Sequence, residues 1–174
     1  PEGYTPELPE HDLWAVANQN NKNTIVIDIP AGEEKEPATL NFEGIGGTFT
    51  NTHIYIRLGA GVDFTVTENH SGWGAYWRNT VLHAELGQGA KLHHHRLITD
   101  SDAAVSTHAA HIRVAEGARY EQQAVIRNAA LTRNELTADL LGKGADATIN
   151  GVLLGSGEST LDQTVLINHM APDC

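Results

Sequence analysis

From Thr24 onward, hydrophobic and polar residues alternate in short runs, and glycines punctuate those runs at a nearly constant interval. Thr24-Ile-Val-Ile-Asp-Ile29 and His53-Ile-Tyr-Ile-Arg-Leu58 carry the period-two, β-branched pattern of strands with one buried face. Between Gly61 and Gly157 no sustained helical stripe competes with it, apart from a weak one near Asn128–Leu141.

Four segments repeat one theme, an apolar strand, a glycine turn and a small residue opening the next strand. They are Ile56–Val62, Ala84–Ala90, Ile112–Ala118 and Asp139–Ala145, whose last glycines, Gly61, Gly89, Gly117 and Gly144, lie 28, 28 and 27 residues apart. A fainter copy ends at Gly32, 29 residues before Gly61. A turn recurring at this period makes each unit one coil, stacked on the last, so that equivalent positions form columns. Leu58, Leu86, Val114 and Leu141 form one such column, three residues before each glycine. Val62, Ala90, Ala118 and Ala145 form a second, and Phe64, Leu92, Tyr120 and Ala147 a third. These columns are apolar, as a solenoid interior requires, while Arg57, Glu85 and Arg113 alternate outward.

The pattern predicts an all-β fold, a right-handed parallel β-helix of about five coils of ~28 residues, roughly 24 Å tall. Residues 1–22, rich in Pro, Glu and Asn, read as a linker or the remnant of an N-terminal segment, with a short helical turn near His11–Ala17. Residues 23–174 read as the β-helix core, truncated at its C-terminus. The chain opens on Pro1 and looks excised from something longer. A bare stack end exposes strand edges and favours pairing, including between two copies of this chain.

Composition narrows the function classes. The net charge of −11, with 11 scattered basic residues, argues against a nucleic-acid groove. No apolar stretch approaches the length of about 20 residues that spans a bilayer. One cysteine excludes an internal disulfide, fits a reducing cytoplasm and falls short of the usual ligand set of an iron–sulfur cluster.

Ten histidines are the most conspicuous chemistry. In His93-His94-His95 a strand would turn His93 and His95 outward and His94 inward, where it would hydrogen-bond with Gln122 one coil on. A metal centre on His93 and His95 needs ligands from neighbouring coils, and Glu121 and Gln123 supply an incomplete set. The run from Gly87 to His95 partly matches a cupin signature, but Asp100 and Thr107 stand where that pattern wants Glu and Gly. A carbohydrate-active β-helix would use convergent acids, yet Asp100, Asp102, Asp139, Asp146 and Asp162 form no column, and most are read as turn residues. Gly142-Lys-Gly144 and Gly155-Ser-Gly157 lack Walker spacing and read as corners. Trp73, Tyr76 and Trp77, beside Gly72 and Gly74, form either a cap over a coil edge or a contact surface. His169 and Cys174 pair an imidazole with a thiol five residues away, a combination able to handle iron or sulfur. None of these residues defines a catalytic site.

The stretch Tyr76–Leu97, the run from Leu131 to Leu136 through Leu140, Gly142 and Ala145 to Gly151–Leu154, and the closing Asp162 and His169-x-x-Pro172-x-Cys174 resemble the SufB/SufD family, SufD in particular. The resemblance covers about residues 24–174 and implies a right-handed parallel β-helix flanked by helical segments. It also implies a scaffold subunit, not an enzyme, that acts with the SufB paralogue and the SufC ATPase in assembling Fe–S clusters. It implies no cofactor held stably by this stretch, the cluster being built by the full complex. Family members continue beyond the position of Cys174 into the region that contacts SufC, so no site from that region maps onto a residue here. The lack of further cysteines favours SufD over SufB.

Overall fold

A computed structural model describes residues 23–174; the linker and helical turn expected at residues 1–22 lie outside the described residues. Eleven strands follow one another without an intervening helix. They are β1 Asn23–Ile29, β2 Ala38–Ile45, β3 Phe49–Leu58, β4 Asp63–Trp73, β5 Trp77–Leu86, β6 Lys91–Thr99, β7 Val105–Val114, β8 Arg119–Arg127, β9 Leu131–Leu140, β10 Asp146–Leu154 and β11 Thr160–His169. Odd-numbered strands form one six-stranded sheet and even-numbered strands a five-stranded one, and every pairing is parallel. Each coil contributes one strand to each sheet, which is a β-solenoid of about five turns.

The glycine corners sit where the repeat places them. Gly32, Gly61, Gly89, Gly117 and Gly144 all have φ between 65° and 79°, and a Cβ on the first four would meet nothing within 4 Å. Glycine is selected there by backbone conformation alone. Gly59 and Gly87 serve another purpose: a Cβ on either would drive into the backbone of the coil beneath, at Ala31 and at Leu58–Ala60 respectively.

Strand parity sends Ile54, Ile56, Leu58, Leu82, Ala84, Leu86, Ile112, Val114 and Leu140 inward against Val62, Phe64, Ala90, Leu92, Ala118 and Tyr120 of the other sheet, all buried in one core. One predicted column member is misplaced. Leu141 is 39% exposed, and Leu140 takes the interior position opposite Val114. The corner before Gly144 carries one residue more than the others, so counting back three residues lands on the bulged-out neighbour.

On the outer wall of the six-stranded sheet, Asp28, Arg57, Glu85, Arg113 and Asp139 face one another in register and alternate in sign. Arg57 Nε donates to Asp28 at 2.9 Å, and Arg113 lies 3.6 Å from Glu85.

Candidate functional site

The same parity that buries the apolar columns carries polar residues into the interior further along the strands. On the six-stranded sheet Thr52, Thr80, His108 and Asn134 are in register, and all are buried. Facing them from the other sheet are Glu68, His70, His94, Arg96 and Gln122, likewise buried. Glu68 is the hub. His70 Nε2 donates to its Oε2 at 2.8 Å and His94 Nε2 to its Oε1 at 2.6 Å, while Arg96 approaches to 3.8 Å. On its other side the His94 ring places Nδ1 2.9 Å from the Tyr120 hydroxyl.

Burial would raise the Glu68 carboxyl pKa, but bonds from His70 and His94 and the charge of Arg96 outweigh it and hold the group well below the usual carboxylate range. Burial dominates for the imidazoles of His70 and His108, whose pKa values are lowered, His108 further by the charge of Arg96. Tyr120, fully buried, is pushed well upward by desolvation. The arrangement is therefore a carboxylate held by two imidazoles and a guanidinium in a setting shut off from bulk solvent, closed to a macromolecular substrate.

A second buried pair caps this end of the interior. Arg78 is held by both carboxylate oxygens of Asp100, with Oδ2 at 2.5 Å, and the Tyr76 hydroxyl donates to Asp100 at 2.6 Å. The Asp100 charge and burial together push the Tyr76 pKa up to about 12. The Tyr76 ring lies over Gly44 and Gly72, filling the space that side chains there would take. Of the aromatic trio, Tyr76 is the cap. Trp77 is exposed but tilted against Phe49 at 4.7 Å and bonded to Thr107, and Trp73 is more exposed still.

The structure places the sequence-level candidates as follows. His94 is interior, as its parity requires, and is in register with Gln122, but its hydrogen bonds go to Glu68 and Tyr120. Glu68 lies on the neighbouring strand β4 of the same sheet, two residues beyond the position in register with His94, so the imidazole bonds diagonally along the inner face to a carboxylate and not straight across to the Gln122 amide. His93 and His95 point outward. His93 lies between Asp63 at 3.2 Å and Glu121 at 3.1 Å, and His95 lines a shallow groove with Thr67, Gln123 and Asn150. Among the described residues, no group of three or more His, Cys, Asp or Glu is arranged to hold a metal ion. At the β11 end His169 and Cys174 do meet, with Nδ1 and Sγ 3.5 Å apart. Cys174 also packs against the apolar core.

The acids read as turn residues prove otherwise. Asp139, Asp146 and Asp162 lie on strands, where His111, Arg119 and Arg133 are their partners, and Asp100 is buried; Asp102 alone of the five sits in a turn. They converge on no common point, and the all-parallel topology is not the antiparallel barrel of a cupin. Sequence reasoning missed Glu68, His70, Arg96, Arg78 and His108 as interior groups. Each has the parity of an apolar neighbour, Val66, Leu92, Leu82 or Ala110, and continuing the inward column past the hydrophobic positions would have found them.

Fold and site together define a class, a parallel β-solenoid with flat walls, an ionised interior and an open terminal coil. Residues 41–174 match the family described as SUF system FeS cluster assembly, SufBD core domain. With most of its length matched, the chain belongs to the SufBD core family, an assembly component of iron–sulfur cluster biogenesis. No curated protein and no solved structure matches it. Among the described residues, no helix is long and apolar enough to cross a membrane.

Proposed function

We propose that this chain is the core of a SufD-type scaffold subunit that works with a SufB-type paralogue and the SufC ATPase and performs no chemistry of its own. The observation that carries this reading is the family match across residues 41–174. The distribution of ionisable groups supports it. The buried carboxylates, Glu68 and Asp100, are each committed to cations or imidazoles within the fold, so neither is poised for acid–base work on a substrate.

At the β11 end of the stack the inner face is uncovered among the described residues. Val165 and Ile167 have inward parity, in register with Leu136 and Ala138, yet are 42% and 37% exposed. Leu153 of β10, in register with buried Ile126, is 37% exposed. Among the described residues β11 pairs only with β9 and β10 only with β8, which leaves one edge of each strand for further pairing. The single cysteine, at position 174, favours the SufD over the SufB assignment, and the cluster is the cargo of the complex, not a resident group.

Co-expression of the intact gene product with tagged SufC and untagged SufB tests this. The expected result is recovery of all three on the SufC tag. Recovery of SufB and SufC without this protein would end the proposal.

A further inference from the structure

Six buried polar atoms around the Glu68 hub have no hydrogen-bond partner in the protein: His70 Nδ1, Thr80 Oγ1, Arg96 Nε, His108 Nε2, Thr132 Oγ1 and Asn134 Nδ2. All belong to side chains of inward parity, none more than 4% exposed. They also share one compartment. The charges on Arg96 and Glu68 both reach His108, and Arg96 Nη1 lies 3.4 Å from Asn134 Oδ1. Buried polar groups of native proteins are almost always paired, with water where protein cannot serve.

We infer that the polar half of the solenoid interior binds a file of ordered water molecules, running along the solenoid axis between the Thr80–His108–Asn134 column and the Glu68–Arg96 column. Water is selected over an anion on two grounds. Arg78 and Arg96 are matched by Asp100 and Glu68, so the compartment has no surplus positive charge. The unpartnered atoms also call for both hydrogen-bonding roles. Arg96 Nε and Asn134 Nδ2 only donate, while His70 Nδ1 only accepts, because the His70 proton sits on Nε2 facing Glu68. An anion accepts and cannot donate; water does both. A metal ion is disfavoured by the same inventory, since two of these atoms are obligate donors.

The facing wall provides room. In line with Glu68 and Arg96, the next two coils carry Ala124 and Gly151. A Cβ on Gly151 would touch nothing closer than its own lateral neighbour, Ala124 O at 3.7 Å. In register with Asn134, the next position on β11 is Gln163, half-buried at the open end, so the polar column continues to the last coil.

A crystal structure of the intact protein at about 1.5 Å resolution tests the inference directly. Water peaks within hydrogen-bond range, about 3.2 Å, of Arg96 Nε, His108 Nε2 and Asn134 Nδ2 are expected. A dry interior with these atoms bonded to one another would overturn the inference, as would a peak that acquires anomalous signal after a bromide soak. In solution, oxygen-17 relaxation dispersion should detect long-lived waters that diminish in H108F. Should that variant not fold, the near-isosteric pair T80V and T132V replaces it. A wild-type protein without long-lived internal water contradicts the inference whatever the variants do.

Discussion

At the glycine-corner end of the interior, Leu58, Leu86, Val114 and Leu140 meet Phe64, Leu92 and Tyr120 in repeating apolar layers. Six residues away along the odd-numbered strands, Thr52, Thr80, His108 and Asn134 meet Glu68, His70, His94 and Arg96, which stand two to six residues beyond Phe64 and Leu92, and no layer has the composition of the next. Both halves are buried, and the backbone ladder holds both. They differ in how the side chains are bound: interchangeable contact in one half, and directional bonds that cross between sheets and coils in the other. An apolar layer can therefore repeat, because any side chain of the right volume serves it. A polar layer cannot, because each donor must meet a particular acceptor in the layer above or below.

The largest expected effect follows from removing the hub. Glu68→Leu leaves Arg96 buried without its carboxylate and frees two imidazole N–H groups, a loss of about 3–5 kcal/mol. Ile112→Ala, in the apolar half, removes contacts without stranding a charge and should cost about 2–5 kcal/mol. Urea denaturation of both decides the matter. If Glu68→Leu proves neutral, the polar half is no more directional than the apolar one.

The second test is pH. His70 and His108 have folded pKa values below the 6.5 of a free imidazole, so the unfolded chain binds protons there that the folded chain does not. Stability is then complete above the unfolded pKa and falls as pH drops below 6.5, by up to about 1.4 kcal/mol per pH unit for each imidazole that stays neutral. Denaturation midpoints between pH 7.5 and 5.5 should show this decline, and His108→Phe should reduce its slope by the share of one proton. A flat profile would mean that the interior accepts charge freely. The Glu68 contribution has the same sign but lies lower, since its depressed pKa keeps it ionised until strongly acidic pH.

The smallest effects separate the two kinds of corner glycine. Gly59→Ala thrusts a methyl into the Ala31 backbone and should cost about 1–3 kcal/mol. Gly61→Ala meets open space and bears only the left-handed conformation, about 1–2 kcal/mol. Thermal shifts of the two variants measure the difference. Equal values would show that backbone conformation, and not coil-to-coil approach, governs both positions.

How much was legible in the sequence follows the same division. The in-phase glycines at 61, 89, 117 and 144 mark positions where φ must be positive, a local demand that any coil imposes, so the period, the corners and the apolar columns could be read directly. Leu141 was misassigned because a one-residue insertion shifts the count without changing the motif. The burial of Glu68 and Arg96 was signalled by strand parity alone, against the rule that charged residues ordinarily lie outside, and the partner that makes such burial tolerable is brought near only by coiling. His94 was placed by parity, while its bonding partners, 26 residues away in either direction, belong to tertiary structure. The meeting of His169 with Cys174 could be read as proximity, though not the burial of the sulfur against the core.

The outer wall, where Asp28, Arg57, Glu85, Arg113 and Asp139 alternate in sign, has a genetic consequence. Solenoids grow and shrink by gain or loss of whole repeats, and the charges of this wall favour such changes by even numbers. Excision of the coil that carries Glu85 would set Arg57 directly against Arg113, a like-charge pairing that opposes the new junction. Excision of two adjacent coils would restore opposite signs at the seam. Unequal recombination within this wall is thus steered toward paired units of about 56 residues, twice the repeat.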